Sequence, residues 1–178
     1  MLDELLKISN ISKIEDIYVF GYSDNDNGIL KFNSDLRLIY FVMDSFYIRF
    51  ESIENYSRLE VSIQKKLAYP FEYELESELT MTISSLKDLL LLDSMSNSNK
   101  ISKLTFFNPD DDNCLICDAL EITLMNNQLI FFDPSYYFGI SVGGLEQKKC
   151  WTKNIENIKK ITKKEVVTNW TVNNIYQL

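Results

Sequence analysis

An α+β fold, mainly antiparallel β, is predicted by three features of the 178-residue sequence. Apolar and polar residues alternate with period 2 along most of its length. The alternating runs are joined by connections that look short and carry Asn or Asp, and only three segments have helical spacing. Together these features predict one or two meander sheets of roughly nine to ten strands. A connecting helix is expected near 85–95 and a C-terminal helix near 152–166, in a single domain spanning 1–178. A chain of this length buries about 70% of the surface its unfolded form exposes, so its core needs no disulfide or metal.

Residues 1–8 have the spacing of a short amphipathic helix. "DIYVFGY" and "ILKF" read as strands joined by a longer turn, "SDNDNG", Ser23 to Gly28. "LRLIYFVM" and "SFYIRF" flank Asp44-Ser45, residue types suited to a tight hairpin turn. In "SRLEVSIQ", Leu59, Val61 and Ile63 share one face, with Arg58, Glu60, Ser62 and Gln64 on the other. "FEYELE" repeats the pattern, setting Phe71, Tyr73 and Leu75 opposite Glu72, Glu74 and Glu76. Ser85 three residues before Asp88 resembles a capping box opening "SLKDLLLLDSM". "KLTFF", "LEITL" and "QLIFF" follow as strands, the last two joined by Asn126-Asn127. "YYFGISV" is a further strand in which Tyr136, Tyr137 and Phe138 are read as core, and Gly143-Gly144 ends it as a turn. Trp151, Ile155, Ile158 and Thr162 then recur at helical spacing with lysines largely opposite, a basic helix on an acidic sheet domain. Trp151 and Trp170 are read as anchors for this tail.

The segment starting at Val42 resembles the one starting at Leu124, at an offset of 82 residues that slips by one after an acidic residue, Glu51 or Asp133. Two pseudo-repeats, 15–83 and 101–146, would then each contribute a meander, with the helix near 85–95 between them.

The chain has no histidine. Ser-His-Asp and Cys-His catalysis, the H-E-x-x-H zinc helix and imidazole acid–base chemistry are therefore absent from it. Three cysteines, an odd number, read as free thiols in a reducing compartment. The acidic start "MLDELLKISN" reads as neither a signal peptide nor a membrane span, so a cytoplasmic protein without a membrane partner is expected.

The stretch "NPDDDNCLICD" invites a metal reading, because it combines four aspartates with one C-x-x-C. Zinc needs about four ligands, and neither a histidine nor a second C-x-x-C completes the set. A calcium loop read from Asp110 places Leu115 where the turn requires Gly, and one read from Asn108 places Ala119 where the bidentate Glu belongs. The stretch is therefore expected to be an acidic, proline-containing turn. Glu72, Glu74, Glu76 and Glu78 would form a second acidic element, a row of charges roughly 6.6 Å apart on one strand face. Residues 1–146 carry 11 Lys and Arg against 24 Asp and Glu, while residues 147–178 carry 7 against 2. Such a body repels nucleic acid and anionic membrane and steers toward a basic partner.

This acidic, histidine-free, β-rich profile, with "FEYELESE" and "NPDDDN" as its acidic segments, resembles the small bacterial immunity proteins of polymorphic or contact-dependent toxin systems. The resemblance implies a non-enzymatic protein that binds a basic toxin domain stoichiometrically. Glu72, Glu74, Glu76, Glu78, Asp110, Asp111 and Asp112 are the candidate partner-binding residues. No catalytic residue, cofactor or metal is assigned. Other readings of the same profile are a phage or plasmid counter-defence protein mimicking DNA, a small-ligand β protein and a carboxylate-based enzyme.

Overall fold

The computed structural model describes residues 2–68, 80–93, 98–110 and 115–168. Helix α1 (Leu2–Ile11) leads into β1 (Asp16–Asp26), β2 (Ile29–Val42), β3 (Tyr47–Ile53) and β4 (Arg58–Gln64), joined in antiparallel succession. β5 (Thr80–Ser85) pairs with the edge of β1 opposite β2 and is followed by the one-turn helix α2 (Lys87–Leu90). The rest comprises β6 (Ile101–Phe107), β7 (Ile116–Cys117), β8 (Ala119–Leu124), β9 (Leu129–Tyr136), β10 (Gly139–Gly143), helix α3 (Leu145–Glu156) and β11 (Lys163–Val167).

These eleven strands form one sheet that folds over on itself, in the order β11-β6-β8-β9-β10-β2-β3-β4-β7, with β1 beside β2 and β5 beside β1. All the pairings are antiparallel except one, a single parallel contact of Gly139 with Leu36 that joins the two halves. The halves also meet where β7, paired to β4, passes through Asp118 directly into β8, paired to β6. Their inner faces share one core. Ile39, Phe41, Phe50, Leu59 and Val61 pack there with Phe106, Leu120, Ile122, Ile130 and Phe132, and Leu5 and Ile8 of α1 join the same cluster. Each such side chain contributes about 1.5–3 kcal/mol when fully buried, so this interface dominates the stability of the fold.

Positions matched by the internal similarity lie close together, one pair in the core and another at the surface. The Phe50 and Phe132 rings stack with centroids 4.3 Å apart. Ser52 donates its hydroxyl to the Pro134 carbonyl at 3.2 Å. Tyr56 and Tyr137 lie 6.5 Å apart.

Four local expectations differ from what is observed. The "SDNDNG" turn shortens to Asn27-Gly28, because both residues adopt the left-handed backbone (φ 55° and 82°) that a two-residue hairpin requires and the flanking strands continue up to them. The helix expected near 85–95 is one turn long. Ser85 ends β5 and its hydroxyl bonds Asp16, while the Gln128 amide donates to the Leu90 carbonyl and accepts from the Leu92 N–H, taking over groups a longer helix would pair. The C-terminal helix lies at Leu145–Glu156 rather than 152–166. Its Trp151 is buried and Ile155 half-buried, but Ile158 is exposed, and residues 163–167 pair instead with the open edge of β6. Finally, Tyr136, Tyr137 and Phe138 are exposed rather than core.

Candidate binding surface

Of the acidic residues singled out from the sequence, Glu72, Glu74, Glu76, Glu78, Asp111 and Asp112 lie outside the described residues, as do the "FEYELE" strand, Cys114 and Trp170. Asp110 is described, and it is engaged. Its carboxylate pairs with Arg58, and its N–H donates to the Ile116 carbonyl at 3.1 Å, closing the stretch that opened as a metal candidate.

Behind Asp110 sits a polar node. Asp118 is buried at the crossover between halves, with Arg58 Nε 3.3 Å from one carboxylate oxygen and Lys159 Nζ 2.6 Å from the other. The Arg58 contact is a charge pairing without hydrogen-bond alignment. Asn108, whose left-handed backbone (φ 48°) aims its side chain across the node, donates to Asp118 at 2.6 Å. The Asn108 side-chain oxygen accepts from the Thr162 N–H at 2.6 Å. A carboxylate held by two cations this way is structural, since it fastens β4, β8 and the chain after α3 to one another. Among the described residues no group of three or more acidic or cysteine side chains is placed to hold a metal. Burial pushes the Cys117 thiol up to about 12, which keeps it a neutral, inert thiol.

Under α3 a second closed cluster forms on the outer face of the second half. Phe107, Ala119, Phe131 and Trp151 are buried together, with Phe107 and Trp151 edge to face at 5.1 Å. Lys148 and Lys163 stand over the Phe107 ring at 5.8 and 5.5 Å, and Lys148 also pairs with buried Glu121. Asp133 nearby accepts from Gln147 Nε2 at 2.9 Å. The basic tail thus supplies counter-charges to the sheet beneath it.

The exposed aromatics gather elsewhere, where β10 approaches β2. Gly139 has φ 119°, and a Cβ there would lie 2.4 Å from the Leu36 carbonyl carbon, so only glycine permits the join. This pins the β9–β10 hairpin next to its tip, and the tip residues just before it project outward. Tyr137 is 78% exposed and Phe138 65%, with ring centroids 5.1 Å apart. The turn between β3 and β4 brings Tyr56 alongside through three consecutive left-handed residues, Glu54, Asn55 and Tyr56 (φ 50°, 55° and 65°). Side chains tolerate that conformation at about 1 kcal/mol or more each. The turn is closed by the Ser57 N–H on the Ile53 carbonyl and the Ser57 hydroxyl on the Glu54 carbonyl.

Tyr22, Ser34, Asp35, Arg37, Tyr56, Tyr137 and Phe138 line an open hollow of about 400 Å³. Arg37 Nε donates to Asp35 at 2.8 Å, with a second bond from Nη2, a two-pronged ion pair that neutralises the floor. Farther along β3, Arg49 pairs with Glu51 and, at 3.7 Å, with Glu60. Burial raises the Glu51 carboxyl, and the Arg49 guanidinium opposes the shift. The charged groups lining the hollow are the Asp35–Arg37 pair, and Glu54, in the turn that carries Tyr56, adds a further carboxylate. Such a surface can stack against a partner group and bind charge. A second hollow of about 540 Å³, walled chiefly by Leu89, Leu90, Leu92 and Leu145, has no charged residue in its lining.

The sequence carried a signal for the platform that composition alone hides. Successive strand residues face opposite sides, so three consecutive large side chains are all buried only where both faces of the strand are covered, as at Ile39, Tyr40 and Phe41. Compared with protein-family models, with curated proteins and with solved structures, the chain matches none. No helix among the described residues is long and apolar enough to cross a membrane.

Proposed function

We propose that the chain is a non-enzymatic acidic binding protein of the immunity type, acting in the cytoplasm and neutralising a basic toxin domain by direct stoichiometric binding. The observation that carries this reading is where the positive charge goes. The tail that offsets the acidic body directs Lys148 onto Glu121 and Lys159 onto Asp118, both buried. Those cations balance carboxylates inside the fold. Each of these pairs is neutral in itself, so the rest of the chain still carries the formal net charge of −8, which favours fast, salt-sensitive encounter with a basic protein and disfavours nucleic acid and anionic lipid.

Affinity capture from the native host, followed by calorimetry with the purified captured protein, tests the reading. A basic toxin domain bound one to one at submicromolar affinity is expected, weakened by reversing charge at Glu72, Glu74 and Glu76 or at Asp111 and Asp112. Capture of a nucleic-acid-binding host protein in its place would favour the counter-defence reading. Affinity and salt dependence unchanged by both reversals would remove those acidic segments from the interface.

A further inference from the structure

We infer that the platform of Tyr56, Tyr137 and Phe138 is the docking centre for a basic protein partner and takes an arginine or lysine side chain against its ring faces. The inference rests on the reading of the chain as a binder of basic protein and specifies where the contact is made.

Exposure is the first reason. Adjacent rings as open as Tyr137 and Phe138 form a patch with no folding role to explain it, and tyrosine and phenylalanine are enriched at the centres of protein interfaces. Backbone conformation is the second. Glu54, Asn55 and Tyr56 hold three successive left-handed conformations, and their outcome is to stand Tyr56 beside Tyr137. Residues held in such conformations cluster at ligand clamps.

Charge selects the occupant. In the hollow beneath the rings the one lining cation among the described residues, Arg37, is already paired to Asp35, and Glu54 adds a carboxylate in the turn that carries Tyr56. An aromatic face beside excess carboxylate attracts a cation through its quadrupole and through simple electrostatics. The molecule uses the same combination internally. Phe107 receives Lys148 and Lys163 over its ring, and Glu121 pairs with Lys148. At the platform the rings point outward, placed for a cation delivered by another molecule.

The test is titration of the full chain with a nona-arginine peptide at physiological ionic strength, with aromatic ring resonances followed by NMR. The Tyr56, Tyr137 and Phe138 ring signals should move first. The double variant Tyr137→Leu/Phe138→Leu keeps apolar area but removes the rings, and it should weaken binding about tenfold or more, whereas Tyr137→Trp should hold it within about twofold. Unchanged thermal melting of the variants, expected at such exposed positions, shows that folding is intact. Failure of the peptide to bind, shifts confined to other surfaces, or equal binding by the double variant would each overturn the assignment. If the captured basic partner binds the double variant as well as the wild type, the platform falls while the proposed function stands. If capture yields no basic partner, the proposed function falls whatever the peptide does.

Discussion

The two aromatic clusters of this protein share ingredients and differ in closure. Phe107, Phe131 and Trp151 lie under α3 with Lys148, Lys163 and Glu121 around them, while Tyr56, Tyr136, Tyr137 and Phe138 stand open beside Asp35 and Arg37. Ring chemistry therefore does not decide whether a cluster is structural. What decides it is whether a later segment of the chain covers it. In the second half α3 does so, bringing both a tryptophan to complete the packing and a lysine to neutralise the buried glutamate. At the join between halves the backbone is pinned by Gly139 and the rings are pushed outward.

Truncating one member of each cluster should separate the two most widely. Trp151→Ala should cost about 4 kcal/mol in denaturant unfolding, because a buried ring is removed from a packed site. Tyr137→Ala should stay within about 0.5 kcal/mol. Equal losses would mean that the open cluster is structural after all. Next in size is Asp118→Ala, expected to cost about 3 kcal/mol by leaving Arg58 without its buried carboxylate and Asn108 without an acceptor. Asp110→Ala, at the exposed end of the same node, should cost less than about 1 kcal/mol. Reversal of that order would show that the node is anchored from its surface.

A smaller effect is expected where the open cluster is positioned. Gly139→Ala should lose about 2 kcal/mol from a side chain forced into φ 119° against the Leu36 backbone, and the near-ultraviolet circular dichroism of the tyrosines should change with it. An unaltered tyrosine spectrum would mean that the hairpin tip is held by other contacts. The smallest effect is a pH dependence at Glu51. Burial raises its carboxyl above the ordinary value of 4.5, with Arg49 opposing, Glu60 adding to the rise and Arg37 opposing again. The folded chain binds this proton at higher pH than the unfolded chain does. Glu51 therefore contributes stability that is fully present below about 4.5 and is lost as pH rises through the higher folded value. The wild-type unfolding free energy minus that of Glu51→Gln should fall between pH 4.5 and 7; a difference that is flat or rises with pH would sink the assignment.

Much of the fold was legible because strands with one buried face write their geometry into residue order. Leu59, Val61 and Ile63, and likewise Leu120, Ile122 and Leu124, alternate as expected on β4 and β8. Both tight turns, at Asp44-Ser45 and Asn126-Asn127, lie between paired strands, with Asn127 left-handed at φ 64°. Residues 163–167 were misread because lysines in a helical frame and lysines on a sheet edge look alike, and the open edge of β6 that captures this segment is more than fifty residues away in sequence. The platform was missed because its members come from β1, the β3–β4 turn and the β9–β10 tip, and only the crossing of β10 over Leu36 assembles them. The acidic residues first singled out were visible as composition; the one described among them, Asp110, is paired with Arg58 at the surface.

The sequence by itself determined the class of fold, the alternation that builds its core, the absence of histidine chemistry and the separation of an acidic body from a basic tail. These are local or additive properties, readable from neighbours two to four residues apart or from counting. Tertiary structure alone decided which charges are neutralised inside and which aromatics face solvent. Lys148 meets Glu121, Lys159 meets Asp118 and Tyr56 meets Tyr137 only after distant strands have been brought together, and no local pattern encodes those distances.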